Sequence, residues 1–512
     1  MECVTSLILF GIVFTLLLIY IYMKKAHSFF QRLGISGPKP APFFGILPEY
    51  KKKGITELDL ELINKYGNVV GIYHGHKPIV LVADPEMIKD ICVTKFNKFK
   101  NRKVNLDLGP LLRKTVALSD NSQWTFLREH ISEVFKPNYL EQITGKVLQS
   151  TEHLIQNIEQ KLTAENDFNF QELCLAFSVD SLCNSLFGYN VNSYKDRDDK
   201  TVNMIKKGWM AGTAGIARPA VACAVCPAMS KIFSAFSYNA IPADVRKFLT
   251  NLVTKKMKKR HTEGGRTDLL SFIMTSSRRR SVIVDSQNNT TKSAANMSSD
   301  YRLSETEIVA NCLFFFLAGY DTTASTVVFT LYCLAKHPSC QDKVVSEISN
   351  NLSSENMSYH EIDNLQYLDM VLNETLRLFP TYLRYGRAVG EDTIIKGIKF
   401  PKGTEIQFPI YAIHRNKDNF PNPEKFDPDR FSKENVSKRH PMSFIPFGAG
   451  PRDCFGQSYA KLAVKLAVVS LMQKYKFSLS SKQNDPPTLA KTFYLRPENG
   501  LWLTVDRRMC DL

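Results

Sequence analysis

One thiol and a few polar groups in apolar surroundings carry the chemistry in this sequence. In FIPFGAGPRDCFG (residues 444–456), Cys454 sits among Gly448, Gly450 and Gly456, with Arg452 two residues before it. A structural disulfide needs a partner and has no use for the glycines. A zinc site usually needs a second ligand nearby, and none follows within a few residues. The setting suits a thiolate approached closely by something large and flat. A second group lies in SETEIVANCLFFFLAGYDTTASTVVFTLYCLAKH (304–337), where Asp321, Thr322 and Thr323 interrupt an apolar run just after Gly319. Burying a carboxylate and two hydroxyls is costly without partners. Two readings stand: hydroxyls bonded back to the preceding turn, or a widened turn offering a groove and a proton path to a ligand. A third group is in MVLNETLRLFP (370–380), where Glu374 and Arg377 share one helical face. A surface ion pair is one reading. The flanking Leu372, Leu376, Leu378 and Phe379 favour a buried pair reaching a third charge, and Arg430 in FDPDRF (426–431) supplies it.

These residues need elements to hold them. Ser304 followed by Glu307 is a capping box, and the apolar run behind it reads as a helix through the middle of a protein. VVGIYHGHKPIVLVAD (69–84) reads as a hairpin, and 120–272 has mostly helical periodicity. Residues 276–300 are polar and read as a surface loop. They include Arg278–Arg280 before Ser281, a basophilic pattern, and sequons at Asn288, Asn289 and Asn296 that would stay unmodified on a cytosolic domain. Residues 4–23 carry no charge and have about the length that spans a bilayer, with Lys24 and Lys25 following at once. A retained anchor fits better than a cleaved signal, because a basic leading region and a small-residue cleavage site are missing. The lysines place the following chain on the cytoplasmic side. Expected organisation is an anchor at 1–25, a proline-rich linker at 26–48 and a globular body at 49–512. The 512-residue chain has a net charge of +16, which points to an acidic partner: nucleic acid, an anionic membrane or an acidic protein. Its 11 cysteines are scattered and odd in number, unlike a disulfide framework, and read as reduced thiols. Cys223 and Cys226 form a lone CxxC in an apolar segment.

Together these pieces resemble a cytochrome P450 of the microsomal type. The cysteine segment fits that family's F-x-x-G-x-R-x-C-x-G loop at Phe447, Gly450, Arg452, Cys454 and Gly456. Ala318, Gly319, Asp321, Thr322 and Thr323 fit A-G-x-D/E-T-T, and Glu374, Arg377 and Arg430 fit E-x-x-R and P-x-R-F. Trp124 and Arg128 fit W-x-x-x-R. The elements occur in family order from about Gly37 to the end. The finer resemblance is to the group containing the vertebrate drug-oxidising (3A-like) subfamily and thromboxane synthase. Asp321 stands where many of that group have Glu.

The resemblance implies a mainly α fold with a smaller β region, the cytochrome P450 fold, behind one N-terminal transmembrane helix. It implies haem b with Cys454 as axial thiolate, a ligand that favours O–O cleavage. Gly450 would permit the sharp turn, Gly456 would let the backbone pass under the porphyrin, and Phe447 would pack beside the sulfur. Arg452, Trp124, Arg128, Arg102 and Arg387 would hold the propionates. Thr322 would bind at the oxygen position and Asp321 would relay protons. Ala318 and Gly319 would keep the helix surface low. Glu374, Arg377 and Arg430 would lock the fold. Pocket residues would come from the segment after Arg102 and from Phe314, Leu317, Ala318, Thr381, Tyr382, Leu383, Phe493 and Tyr494, an apolar lining for a steroid, fatty acid, eicosanoid or xenobiotic. Residues 217–237 would form a lid dipping into the membrane. No flavin or nicotinamide fingerprint is evident, so electrons would come from NADPH–cytochrome P450 reductase, with cytochrome b5 as a second donor. Lys438, Arg439, Lys461 and Lys465 are candidates for the docking face, or plain solvated charges. The expected setting is the endoplasmic reticulum membrane with the catalytic domain in the cytosol, and no nucleic acid partner. The expected activity is monooxygenation with O2. An oxygen-independent isomerase of lipid peroxides and a non-catalytic haem sensor are the alternatives; the retained Asp321–Thr322 pair favours the monooxygenase.

Overall fold

The computed structural model describes residues 2–102, 108–226, 228–235, 239–263, 268–275, 303–352 and 357–508. The 276–300 segment, with its sequons, and the stretch directly after Arg102 lie outside them.

The chain opens with helix α1 (Glu2–Ala26), whose described apolar side chains, such as Leu9, Phe10 and Val13, are exposed except for buried Met23. It is long and apolar enough to cross a membrane. The segment behind this helix is not a free tether. Phe30, Ile35 and Ile46 are buried in the same core as Val70 and Ile72. The Tyr73 hydroxyl donates to the His27 carbonyl (2.8 Å) and accepts from the Phe30 N–H (3.1 Å). A Cβ on Gly37 would fall 1.9 Å from the Gly71 carbonyl oxygen, so the chain lies against the first strand there. The linker expected at 26–48 is therefore packed into the body, because its apolar residues have sheet surface to bury.

The expected hairpin is present. Strands β1 (Val69–His74) and β2 (Lys77–Val82) pair antiparallel, Val70 opposite Leu81, and turn at Gly75 with φ +60°. Further along come β3 (Arg384–Ala388) and β4 (Glu405–Pro409). The sheet order is β1-β2-β4-β3, with β2 and β4 parallel.

The larger body is helical. Its members include α2 (Asn121–Ser132), α3 (Pro137–Lys161), α4 (Phe170–Phe187), α5 (Lys200–Val225), α6 (Glu305–Lys336), α7 (Gln366–Leu378) and α8 (Gln457–Lys474), which share one contiguous core. α6 starts at the capping box: Ser304 Oγ accepts from the Glu307 N–H, and the Glu307 carboxylate accepts from the Ser304 N–H (2.8 Å). It ends at His337, before Pro338, which cannot continue it. Most of its side chains are buried, so it runs through the centre. Each buried Leu or Phe contributes about 1.5–3 kcal/mol, so the helix is held by its surroundings more than by its own propensity. The result is a mainly α fold with a small β region.

Candidate active site

The cysteine loop is shaped by two left-handed glycines, Gly448 (φ +79°) and Gly450 (φ +71°). A Cβ on Gly450 would fall 1.9 Å from the Cys92 carbonyl oxygen, so this glycine seats the loop on the one-turn π-helix Asp90–Thr94. The Cys454 N–H donates to the Phe447 carbonyl (2.8 Å). The Gly456 N–H bonds the Cys454 sulfur. Burial pushes the Cys454 thiol up, while the Gly456 N–H, Arg128 and Arg102 pull it down. Cys454 is exposed, so its thiol is open to a bound group.

Four arginines converge beside it. Arg102 donates to the Arg452 carbonyl (2.9 Å) and the Ala117 carbonyl (3.3 Å). Arg128 donates to the Asp453 carbonyl (2.6 Å) and carboxylate (2.5 Å). Arg387 donates to the Ala449 carbonyl (3.2 Å). Arg452 donates to the Lys100 and Ser119 carbonyls (2.9 and 2.8 Å), with its guanidinium 4.3 Å from the Trp124 ring centroid. Burial, with Arg102 and Arg387 beside it, pushes Arg452 down to about 9; burial chiefly pushes Arg387 down to about 10.

The second element is α6. Between Ile308 and Ala335 only Phe314, Leu317, Ala318, Gly319 and Thr322 are incompletely buried. All but Gly319 fall on one stripe at helical spacing. The helix is unbroken, and the widened turn is not seen: Thr322 Oγ1 donates back to the Ala318 carbonyl (2.7 Å). Gly319 serves a different contact from the one expected. Its carbonyl accepts from Ser178 Oγ (3.0 Å), and a Cβ there would strike Leu182 of α4 at 2.8 Å. Asp321 is 3% exposed; burial pushes its carboxyl up to about 6, with Arg496 pulling the other way.

Tyr382 and Tyr494 face one another across an isolated bridge, ring centroids 5.2 Å apart. The Leu495 N–H donates to the Thr381 carbonyl (3.0 Å) and Leu383 N–H to the Phe493 carbonyl (3.2 Å). Leu383 is a correction. At 1% exposure it packs into the helical core just ahead of β3 rather than lining an open surface. Phe493 is 47% exposed. Electrostatic contacts run from Cys454 to Tyr385, from Tyr385 to Tyr382 and Tyr494, and from Tyr494 to Asp321. These couplings place the thiol, the tyrosines and Asp321 of α6 in one neighbourhood. Sequence reasoning missed Tyr385, Trp209 (4.6 Å from the Tyr494 ring), Ser178, Arg496 and Cys92. Trp209, one of three tryptophans, was the only one with a compositional signal. Two surface clefts of about 380 and 270 Å³ are lined neither by α6 nor by Cys454.

The sequence profile described as Cytochrome P450 matches residues 35–504. The chain belongs to the cytochrome P450 family. It is 34% identical to cytochrome P450 3A13 of Mus musculus over 499 residues, 96% of this chain and 95% of that one. It is 33% identical to cytochrome P450 3A14 of Cavia porcellus (96% and 95%) and 32% identical to cytochrome P450 3A6 of Oryctolagus cuniculus (96% and 96%). As a cytochrome P450 it is a haem-thiolate monooxygenase, which uses O2, a lipophilic substrate and a redox partner. The family binds haem b through a cysteine thiolate.

The residues of this cytochrome P450 fit that cofactor. Arg387 Nε and Arg452 Nη1 are buried with no hydrogen-bond partner among the described residues. The arginine cluster outnumbers its carboxylates, Asp120 and Asp453, so it has positive charge in hand for propionates. A Cβ at Gly456 would meet no protein atom nearer than 4.0 Å, leaving room for a flat group.

The lock of this cytochrome P450 lies beneath. Glu374 and Arg377 are fully buried; Arg377 donates to both Glu374 oxygens (2.6 and 2.9 Å) and to the His414 carbonyl (3.0 Å). Arg430 Nε is 3.4 Å from the same carboxylate. The expected docking cations divide. Lys465 is 2% exposed, donates to the Ile362 and Asp363 carbonyls (3.3 and 3.2 Å) and pairs with Asp369, so it is not a docking group. Arg439 lies against the Phe420 and Phe431 rings. Lys438 is exposed and pairs with Glu434 (2.5 Å); Lys461 is partly exposed, 3.9 Å from Asp369.

Proposed function

We propose that this chain is a membrane-anchored monooxygenase that oxidises lipophilic substrates such as steroids, fatty acids or xenobiotics. What supports it is the exposed Cys454 thiol, the incompletely buried α6 stripe and the couplings that join Cys454, Tyr385, Tyr382, Tyr494 and Asp321, read together as the border of one pocket. Haem, when bound, supplies the oxygen-activating chemistry. Cys454 is its thiolate ligand; Arg102, Arg128, Arg387 and Arg452, with Trp124 beneath Arg452, hold the propionates. Phe447 and Gly450 shape the loop. Thr322 keeps a hydroxyl oxygen free to accept while donating to Ala318, and Asp321 takes and returns protons near neutral pH. Phe314, Leu317, Ala318, Thr381, Tyr382, Phe493 and Tyr494 exclude water and bind the substrate. Electrons come from NADPH–cytochrome P450 reductase, helped by cytochrome b5, docking near Lys438 and Lys461. α1 anchors the chain in the endoplasmic reticulum with its body in the cytosol. Exposed Val221 and Ile232 of the expected lid region, with exposed Met210 ahead of it, touch the bilayer, from which substrate enters. The test is a binding titration of the purified full chain with steroid, fatty acid and xenobiotic panels, followed through the Soret shift, then turnover with reductase and NADPH. Lipophilic ligands should shift the spectrum and be oxidised; a response only to small polar ligands would contradict the reading.

A further inference from the structure

Asn311 is fully buried in α6, three residues before Phe314. An apolar residue would fill this place without the desolvation cost of an amide. Instead every hydrogen bond that the amide makes is directed. Oδ1 accepts from the Val116 N–H (2.8 Å), and Nδ2 donates to the Lys114 carbonyl (3.3 Å) and to the Glu307 carbonyl one turn back (2.8 Å). Val116 has only a donor to offer, which fixes the amide's orientation. Lys114 and Val116 belong to a described stretch, 112–119, with no long helix or strand of its own. Its other end is held from the opposite side: Arg102 donates to the Ala117 carbonyl and Arg452 to the Ser119 carbonyl. The same stretch is therefore stitched to α6 by Asn311 and to the propionate cluster by two arginines. The tie is reinforced from α2, where Gln123 Nε2 donates to the Glu307 carboxylate (3.0 Å).

We propose that Asn311 is a positioning residue for substrate selectivity: it fixes the 112–119 stretch as one wall of the pocket beside Phe314. The proposal rests on the pocket reading above. Asn311 touches neither substrate nor cofactor; it acts through the Val116 and Lys114 backbone, which sets where Leu118 and Ala117 stand relative to α6.

The test compares the full-length wild type with N311L, which keeps the branching at Cγ and removes the bonds, and N311Q, which keeps the amide one methylene further out. Three quantities are read: haem content, hydrogen exchange at the Val116 amide, and the Soret-shift dissociation constants and product ratios for a bulky and a small lipophilic ligand. In N311L, haem content should stay at the wild-type level. Val116 should exchange at least about tenfold faster, and the bulky ligand should bind about tenfold more weakly, as expected for losing one or two buried hydrogen bonds. Product ratios should shift, and N311Q should lie between. If N311L does not accumulate with haem, the comparison is made on N311Q, for which a shifted product ratio is expected. Val116 exchange and ligand affinity both within about twofold of wild type would overturn the proposal. Faster exchange with unchanged affinity and product ratios would also overturn it, leaving Asn311 as a stabilising residue only. Exchange at Val116 needs no turnover, so it separates this proposal from a failure of the substrate reading.

Discussion

At the scale of single residues, Asp321 couples its own protonation to folding. Its carboxyl sits at about 6 in the folded protein against an ordinary 3.8, and burial is the first cause. The folded state thus binds the proton more tightly than the unfolded chain. Native stability therefore falls as pH rises from about 4 to 6, and above 6 the buried charge costs about 3 kcal/mol. Asp321→Asn should raise the thermal midpoint at pH 7.5 and give no gain at pH 4. The same substitution should lower product formation by roughly 10²-fold, in the range of a lost acid–base group, and remove an inflection near pH 6 from the rate profile. An unchanged profile would take Asp321 out of the relay. Thr322→Ala should leave ligand affinity within about twofold but lower product formed per O2 consumed, because it removes an interaction used after binding; Thr322→Ser should recover most of it. Cys454 was singled out by its glycine-rich setting, whereas the roles expected of Arg452 and Thr322 came from the family resemblance. Arg496 and Tyr385 were not, since only tertiary packing brings them to the site. Lys465 looked like a surface charge because one sequence does not show that α8 turns that side chain inward.

Among the elements, α6 and α7 carry different loads. α6 brings Phe314, Leu317, Ala318 and Thr322 to one face while burying most of the rest, and its capping box and terminal proline were readable in the sequence. The choice between a straight and a widened turn was not readable, because it depends on Ser178 and Leu182 of α4. α7 contributes a buried charge pair that the loop around Arg430 completes. Glu374→Gln leaves Arg377 unpaired in the core, a change that costs about 3–5 kcal/mol. Haem-containing protein should then fail to accumulate, or should unfold at far lower denaturant than wild type. Normal yield and an unchanged unfolding midpoint would mean the pair is dispensable. The hairpin was legible because its period-2 runs flank a glycine turn. The packing of residues 26–48 was hidden by prolines that look the same in a linker and in a chain pressed on a sheet.

For the molecule as a whole, the apolar helix α1 leads into two cores, and the sheet core draws on both early and late parts of the chain with the helical core between them. Deleting residues 2–26 should release much of the protein from membranes by fractionation while leaving the haem spectrum intact, because the described side chains of α1 are mostly exposed. Residual membrane binding should then depend on Met210, Val221 and Ile232. Loss of the haem spectrum in the truncated protein would show that α1 supports the fold as well. Most of this architecture was legible by matching segments to one family. The arrangement of its interior space was not, because it depends on tertiary packing. The central claim is that Cys454 is the thiolate ligand of haem in that space. It is tested most directly by reducing the full-length protein in membranes, adding carbon monoxide and recording the difference spectrum beside Cys454→Ala. The account predicts the long-wavelength Soret band of thiolate ligation in the wild type and its absence in the variant. A wild type without that band, or a variant that keeps it, would contradict the account.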